Sequence, residues 1–178
     1  MVEETKERWL NYLAMTTVLF AVCATLSTFK GAGYSTKSVL AQTQAANQWS
    51  YFQAKSVKGY LYEIQREAVE LEMKKDKENM SPSVTVEYEK RLEVYNQKIK
   101  KYDGEKAEIS KEAKRLEALR DSAQRHSGIF GIAIIFLQIA ILLSSIAALM
   151  KKKEIWFLAC ACGFGGILYF ANGFLLFF

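Results

Sequence analysis

The chain has 178 residues, with 24 Lys and Arg, 19 Asp and Glu, and a formal net charge of +5. Half of it is hydrophobic (51%), yet every charged side chain lies within residues 1–8, 30–126 or 151–154. That partition excludes a water-soluble globular domain and a disordered chain, and one Pro with ten Gly excludes a turn-rich all-β protein.

Residues 1–8 are a short charged N-terminal tail, followed by the first apolar run, Trp9–Phe29. Its helical length, roughly 31 Å, matches one hydrocarbon core. Trp9 and Tyr12 mark one interface and Lys30 closes the other. The run is long for a signal-peptide core and lacks a clear small-residue cleavage pattern, so it reads as a retained anchor.

Residues 30–126 form a polar insert. Gly31-Ala32-Gly33 is predicted to break the first helix, and Ser35 or Thr36 to cap a new one running to about Asn79. Ser81-Pro82-Ser83 holds the only Pro and reads as a turn near 79–83, with a second helix from about Ser83 to Arg125. Two helices of roughly 65 Å each make an antiparallel hairpin. In the second, Tyr88, Tyr95, Tyr102, Ile109, Leu116 and Ala123 recur every seven residues, with Leu92, Ile99 and Ala113 in a companion series that Lys106 and Arg120 interrupt. In the first, Leu40, Ala54, Leu61 and Ala68 form one series, broken by Asn47, and Val57, Ile64 and Leu71 the other, with Thr43 and Ser50 polar. This is read as a coiled-coil seam. Glu70–Lys74, Glu87–Arg91 and Asp121–Arg125 add pairs on outer faces. In this register Gly59 and Gly104 fall at one height, outside the seam. They are either tolerated helix glycines or places of close approach or hinging.

The second apolar run is 128–150 and the third 155–178, separated by the basic loop 151–154. Three consecutive lysines, Lys151, Lys152 and Lys153, must sit at a membrane surface, because each costs about 2.5–3.5 kcal/mol at a span centre. The predicted fold is thus an all-α membrane protein: three transmembrane helices, with a long antiparallel coiled-coil helical hairpin inserted between the first and second.

Near the membrane the first insert helix carries large rings beside its seam: Trp49, Tyr51, Phe52, Tyr60 and Tyr62. A two-helix hairpin cannot cover rings pointing several ways, so Gln48–Tyr62, with Gly59 and Gly104, is a candidate oligomer interface, most simply with another copy of the chain. The alternative is that the rings lie on headgroups or on the partner helix. Small residues at a spacing of four (Thr17, Ala21, Thr25; Ala140, Ser144, Ala148; Ala159, Gly163; Cys162, Gly166) suit close helix packing in lipid. Gln138 and Asn172 are candidate intramembrane polar contacts.

The segment Asn47-Gln48-Trp49-Ser50-Tyr51-Phe52-Gln53-Ala54-Lys55-Ser56, after an N-terminal anchor with a Gly-containing end, resembles the bacterial membrane-protein family known as domain of unknown function 4337. The likeness extends in layout over nearly the whole chain. It implies a bacterial membrane location and brings no activity, cofactor or catalytic residue.

No catalytic machinery is expected. Cys23, Cys160 and Cys162 read as free thiols within spans, and the C-x-C pair has no further Cys or His near it to complete a metal site. The single His, His126, reads as a headgroup-level residue. No phosphate loop, hydrolase triad or metal-binding helix motif occurs, so neither enzyme activity, cofactor nor metal is expected. The insert mixes 19 basic with 15 acidic residues, a solvated face and not a nucleic-acid stripe. Lys151–Lys153 sets topology and can touch anionic lipid headgroups. A cytoplasmic basic loop places the N-terminus in the cytoplasm of a bacterial inner membrane and the hairpin in the periplasm, against the counter-signal of Lys30, Lys37, Arg120 and Arg125. Three functions fit: a homo-oligomeric scaffold or tether, a homo-oligomeric channel or transporter subunit, and an accessory subunit or regulator bound to another membrane protein.

Overall fold

The computed structural model describes residues 2–75 and 80–177. Among them are three helices, α1 (Val2–Lys75), α2 (Pro82–Met150) and α3 (Lys153–Leu175). All three are long and apolar enough to cross a membrane.

This corrects the predicted fold. Among the described residues no extra helices are inserted between the spans: the charged segment is the continuation of the first and second spanning helices themselves. α1 passes through Gly31-Ala32-Gly33 without a break. Glycine in a helix interior costs only up to about 1 kcal/mol, and at Gly31 it has a use. A Cβ there would lie 3.2 Å from Phe130 Cβ, and the Gly31 carbonyl accepts the Ser127 hydroxyl at 3.0 Å. Thr36 caps nothing; its hydroxyl donates to the Ala32 carbonyl at 3.0 Å, one turn back inside the helix. α2 likewise passes from its charged into its apolar portion with no boundary at Arg125–Gly128. The expected helix start at the Pro does form: Pro82 opens α2, and the Ser81 carbonyl accepts the Val84 and Thr85 N–H groups at 3.1 Å. The expected first-helix end at Asn79 lies outside the described residues, as does Phe178.

The chain divides into two compact units, residues 1–40 with 119–178, and residues 41–118. In the first, many large side chains point outward (Leu149 is 84% exposed, Phe29 73% and Met15 71%), while Phe20, Phe130 and Leu137 are buried. Inside lie small residues, among them Ala133, Ala140, Ser144, Ala147, Ala159 and Gly163. An apolar exterior over a small-residue interior is the arrangement that hydrocarbon solvent favours, since association there depends on close backbone approach and not on hiding greasy groups. The protein is a multi-span membrane protein whose helices pack closely.

In the second unit α1 and α2 lie side by side in opposite directions. Gly59 faces Tyr102, with 3.7 Å from an added Cβ to the Tyr102 Cβ, and Lys55 Nζ lies 2.6 Å from Glu105 Oε2. The buried positions of α2 keep a spacing of seven through Ile109, Leu116, Ala123, Phe130, Leu137 and Ser144, without regard to the change from polar to apolar sequence. In α1 the inward positions are Ala41, Ala45 and Val69, with Phe52, Gly59 and Tyr62 between them. The predicted seam of α1 is therefore one face off. Leu40, Val57, Leu61, Ile64 and Leu71 are 53–63% exposed. The contact with α2 uses small and aromatic residues, because Tyr95 and Tyr102 fill the space that aliphatic side chains would take.

Candidate functional site

At the N-terminal end of the first unit, Trp9, Leu13 and Ala147 form a cluster with Ile155 and Trp156 around it. The Trp156 indole N–H donates to Thr16 Oγ1 at 3.1 Å, and its ring centroid is 6.4 Å from that of Trp9. Lys153 places its ammonium 6.0 Å from the Trp9 ring centroid. Lys151 and Lys152 are exposed; Lys151 takes a left-handed φ of 50° in the turn, and the Lys152 N–H donates to the Ala147 carbonyl at 3.2 Å. The basic loop is thus a tight reversal with an indole pair beneath it, as suits a headgroup-level turn.

Midway, Phe20 packs with Leu137 and Ala140, flanked by Cys23 and Cys162. Gly163 leaves room for the Phe20 ring, and Gly166 for Leu137, whose Cγ would stand 2.8 Å from an added Cβ. All three cysteines are free thiols, and the Cys162 Sγ–H points to the Phe136 carbonyl at 3.5 Å, a weak contact. Gln138 is exposed on α2. Asn172 is buried, and its Oδ1 accepts the Phe177 N–H at 2.6 Å while its carbonyl accepts the Leu176 N–H at 2.8 Å. Asn172 therefore finishes α3, a role its place in an apolar run does not announce.

The other end of this unit holds the group least visible in the sequence. Phe130 is fully buried and meets Phe174 edge-on at 5.0 Å and Phe170 at 6.1 Å. Tyr34 stacks on His126 at 4.5 Å with a 13° angle between planes. His126 Nδ1 lies 2.7 Å from the Gly173 carbonyl, and because a carbonyl only accepts, that nitrogen carries the proton. His126 thereby ties α2 to α3 at a point where Gly173 admits Phe130. The sequence signal was present, a lone His and a Gly near the ends of two apolar runs, but nothing in spacing pairs them.

In the second unit the aromatic belt splits into two sets. Trp49, Phe52, Gly59 and Tyr62 turn toward α2 of the same chain. The Trp49 indole N–H donates to Glu117 Oε1 at 2.9 Å and its ring meets Phe52 edge-on at 5.5 Å. Tyr62 stacks on Tyr102 at 5.8 Å. Tyr51 and Tyr60 stay 51% and 56% exposed, with Lys55 and Lys106 ammonium groups 5.1 and 5.7 Å from their ring centroids. Gly104 is open, with no heavy atom within 4 Å of an added Cβ. Hydrogen bonding from Lys55 holds Glu105 below the usual carboxylate range, and the same bond, with Tyr51, raises the Lys55 ammonium. Asp103 does the same for Lys106, and Arg120 lowers Asp121. Of the predicted outer-face pairs Glu87–Arg91 forms at 2.7 Å, while Glu70 pairs back to Arg66 at 3.4 Å and Asp121 pairs with its neighbour Arg120 at 2.8 Å. These are structural ion pairs along a solvated surface. Among the described residues no group of His, Cys, Asp and Glu is placed to hold a metal ion.

Fold and surface together define an α-helical multi-span membrane protein whose exposed groups are lipid-facing aliphatics, a basic turn, and a ring-and-lysine surface in its charged unit. The chain belongs to the family described as domain of unknown function (DUF4337), which matches residues 9–176. No curated protein and no solved structure matches it.

Proposed function

We propose that the protein is a self-associating scaffold or tether of the bacterial inner membrane, without catalytic activity of its own. The observation that carries this reading is Gln138: a primary amide exposed on the outside of an apolar span. In hydrocarbon such a group is costly unless it meets a polar partner, and interhelical hydrogen bonds are a recurrent means of holding spans together. Another copy of the chain supplies the same amide on the same face, and a two-fold pair of such amides satisfies both. The basic turn Lys151–Lys153 supports a cytoplasmic side for that loop, against anionic headgroups, and with it a cytoplasmic N-terminus and a periplasmic charged unit.

The test is the protein mass of the particle extracted in mild detergent. A multiple of 20.2 kDa is expected, reduced toward a single copy by Gln138→Leu. A strict monomer for the unaltered chain overturns the reading. A cysteine introduced at Met80 tests sidedness: it should react with an impermeant label in intact, outer-membrane-permeabilised cells, and protection until lysis reverses the orientation.

A further inference from the structure

From Asn47 to Leu71 the exposed face of α1 carries an unbroken alternation of three and four: Asn47, Ala54, Leu61 and Ala68 in one series, Ser50, Val57, Ile64 and Leu71 in the other. All eight are exposed, and the aliphatic members strongly so: Val57 57%, Leu61 54%, Ile64 63% and Leu71 53%. The face that α1 turns to α2 is a different one, made of Ala45, Phe52, Gly59 and Tyr62. α1 therefore carries two seven-residue patterns, and its own chain uses only one.

We propose that this second pattern is the pairing surface for α1 of another copy, the two helices lying parallel and in register. This names the partner surface for the self-association above and rests on that reading. Four features select the occupant. First, a three–four alternation that is aliphatic from Ala54 onward is the pattern that a second helix fills knob into hole; over Ala54–Leu71 it runs about 27 Å at the helical rise. Second, this stretch belongs to the charged unit, so water and not lipid bathes it, and the exposed aliphatics are costly there until covered. Third, Asn47 occupies a seam position. A buried amide there is satisfied when an identical amide faces it, which an in-register pair of identical helices provides, and one such Asn is the best-attested means of fixing register. Fourth, the flanking positions suit like pairing with like. Gln53 would face Lys58, and Tyr60 would face Gln65, so identical chains meet without charge repulsion until the Glu67–Glu72 level. Copies held in one bilayer by the same N-terminal span present α1 in the same direction, which makes the pair parallel. Tyr51 and Tyr60, the exposed members of the belt, then lie on the two flanks of the seam and cover its edges.

The experiment is disulfide scanning of the full chain in native membranes, with Cys23, Cys160 and Cys162 replaced by Ala and single cysteines introduced by Ser50→Cys, Val57→Cys, Ile64→Cys or Lys111→Cys. Mild oxidation should link the first three into dimers at least tenfold more than the Lys111 variant, which sits on α2 away from the seam. In the chain with its native cysteines, Val57→Lys with Ile64→Lys should lower the oligomeric fraction at least tenfold. Both residues are exposed within the subunit, so its own packing is left intact. Absence of self-linked dimers at all three seam positions, with an extracted mass still a multiple of one chain, overturns the seam and leaves self-association through the spans standing. Links to a foreign protein in place of self-links also overturn it. A monomeric mass removes both readings.

Discussion

Three glycines within four residues of α3 should behave differently when each gains one methyl group. At Gly165 an added Cβ would stand 3.8 Å from Phe136 Cδ1, an ordinary contact. At Gly166 it would stand 2.8 Å from Leu137 Cγ and 3.1 Å from the Leu137 backbone nitrogen. At Gly163 it would fall within the Phe20 ring. Phe20 is only 4% exposed and Leu137 wholly buried, so neither has free space to swing into, and at Gly166 one of the atoms met is backbone. Overpacking of this kind costs about 1–3 kcal/mol, whereas Ala in place of Gly in an unobstructed helix gains up to about 1 kcal/mol. The helix gain is common to all three, so Gly163→Ala and Gly166→Ala should lie roughly 1–3 kcal/mol below Gly165→Ala. The assay is reversible unfolding of the detergent-solubilised protein, followed by circular dichroism across a denaturing-detergent titration. Phe20→Leu should recover part of the loss in Gly163→Ala and none of that in Gly166→Ala. Equal stability of all three Ala variants would refute the close approach of α3 to α1 and α2.

Other outcomes follow from the same contacts. Trp49→Phe keeps the ring and removes the indole donor to Glu117, so the charged unit should lose about 1 kcal/mol in thermal melts; Trp49→Ala should lose more. His126→Phe keeps a ring against Tyr34 and removes the donor to the Gly173 carbonyl, a loss of about 0.5–1.5 kcal/mol on unfolding in detergent, while Tyr34→Ala removes the stack. For Lys55–Glu105 the sign is set by the direction of each shift. The lowered Glu105 stabilises the fold above the ordinary carboxylate range and loses that contribution as pH falls through its depressed value. The raised Lys55 keeps its contribution below the ordinary lysine range and loses it as pH rises through the elevated value. Melting midpoints across pH should thus fall at the acid end for the native chain and fall less for Glu105→Gln.

The spans were legible because lipid allows only one reading of a long charge-free run, and three of them occur. The interior of each was partly legible: small residues at a spacing of four marked Gly163, Gly166 and Ala140, all of which pack inside. In this protein a change of solvent is not a change of helix. Gly31 and Gly33 have the composition of a break, but the helix continues through them, and at Gly31 Phe130 comes close. The seven-residue series ending at Ala123 in the charged portion goes on through Phe130, Leu137 and Ser144, a continuity across the apolar boundary that marks one helix. In α1 the most aliphatic series predicts an inward face that the structure leaves exposed. Burial instead follows the fit to Tyr95 and Tyr102, which favours Gly59 and Tyr62 over Leu61 and Ile64. The His126–Gly173 tie joins residues far apart in the chain, and neither residue type nor local spacing specifies it.

The continuity of α1 is the claim on which the rest stands, and nitroxide scanning of positions 20–40 in reconstituted vesicles tests it directly. Accessibility to oxygen and to a water-soluble nickel chelate should oscillate with one uninterrupted helical period through Gly31-Ala32-Gly33, the preference passing from oxygen to nickel beyond Phe29. A loss of the period at those glycines, with a new phase starting after Thr36, would contradict it and restore two separate helices.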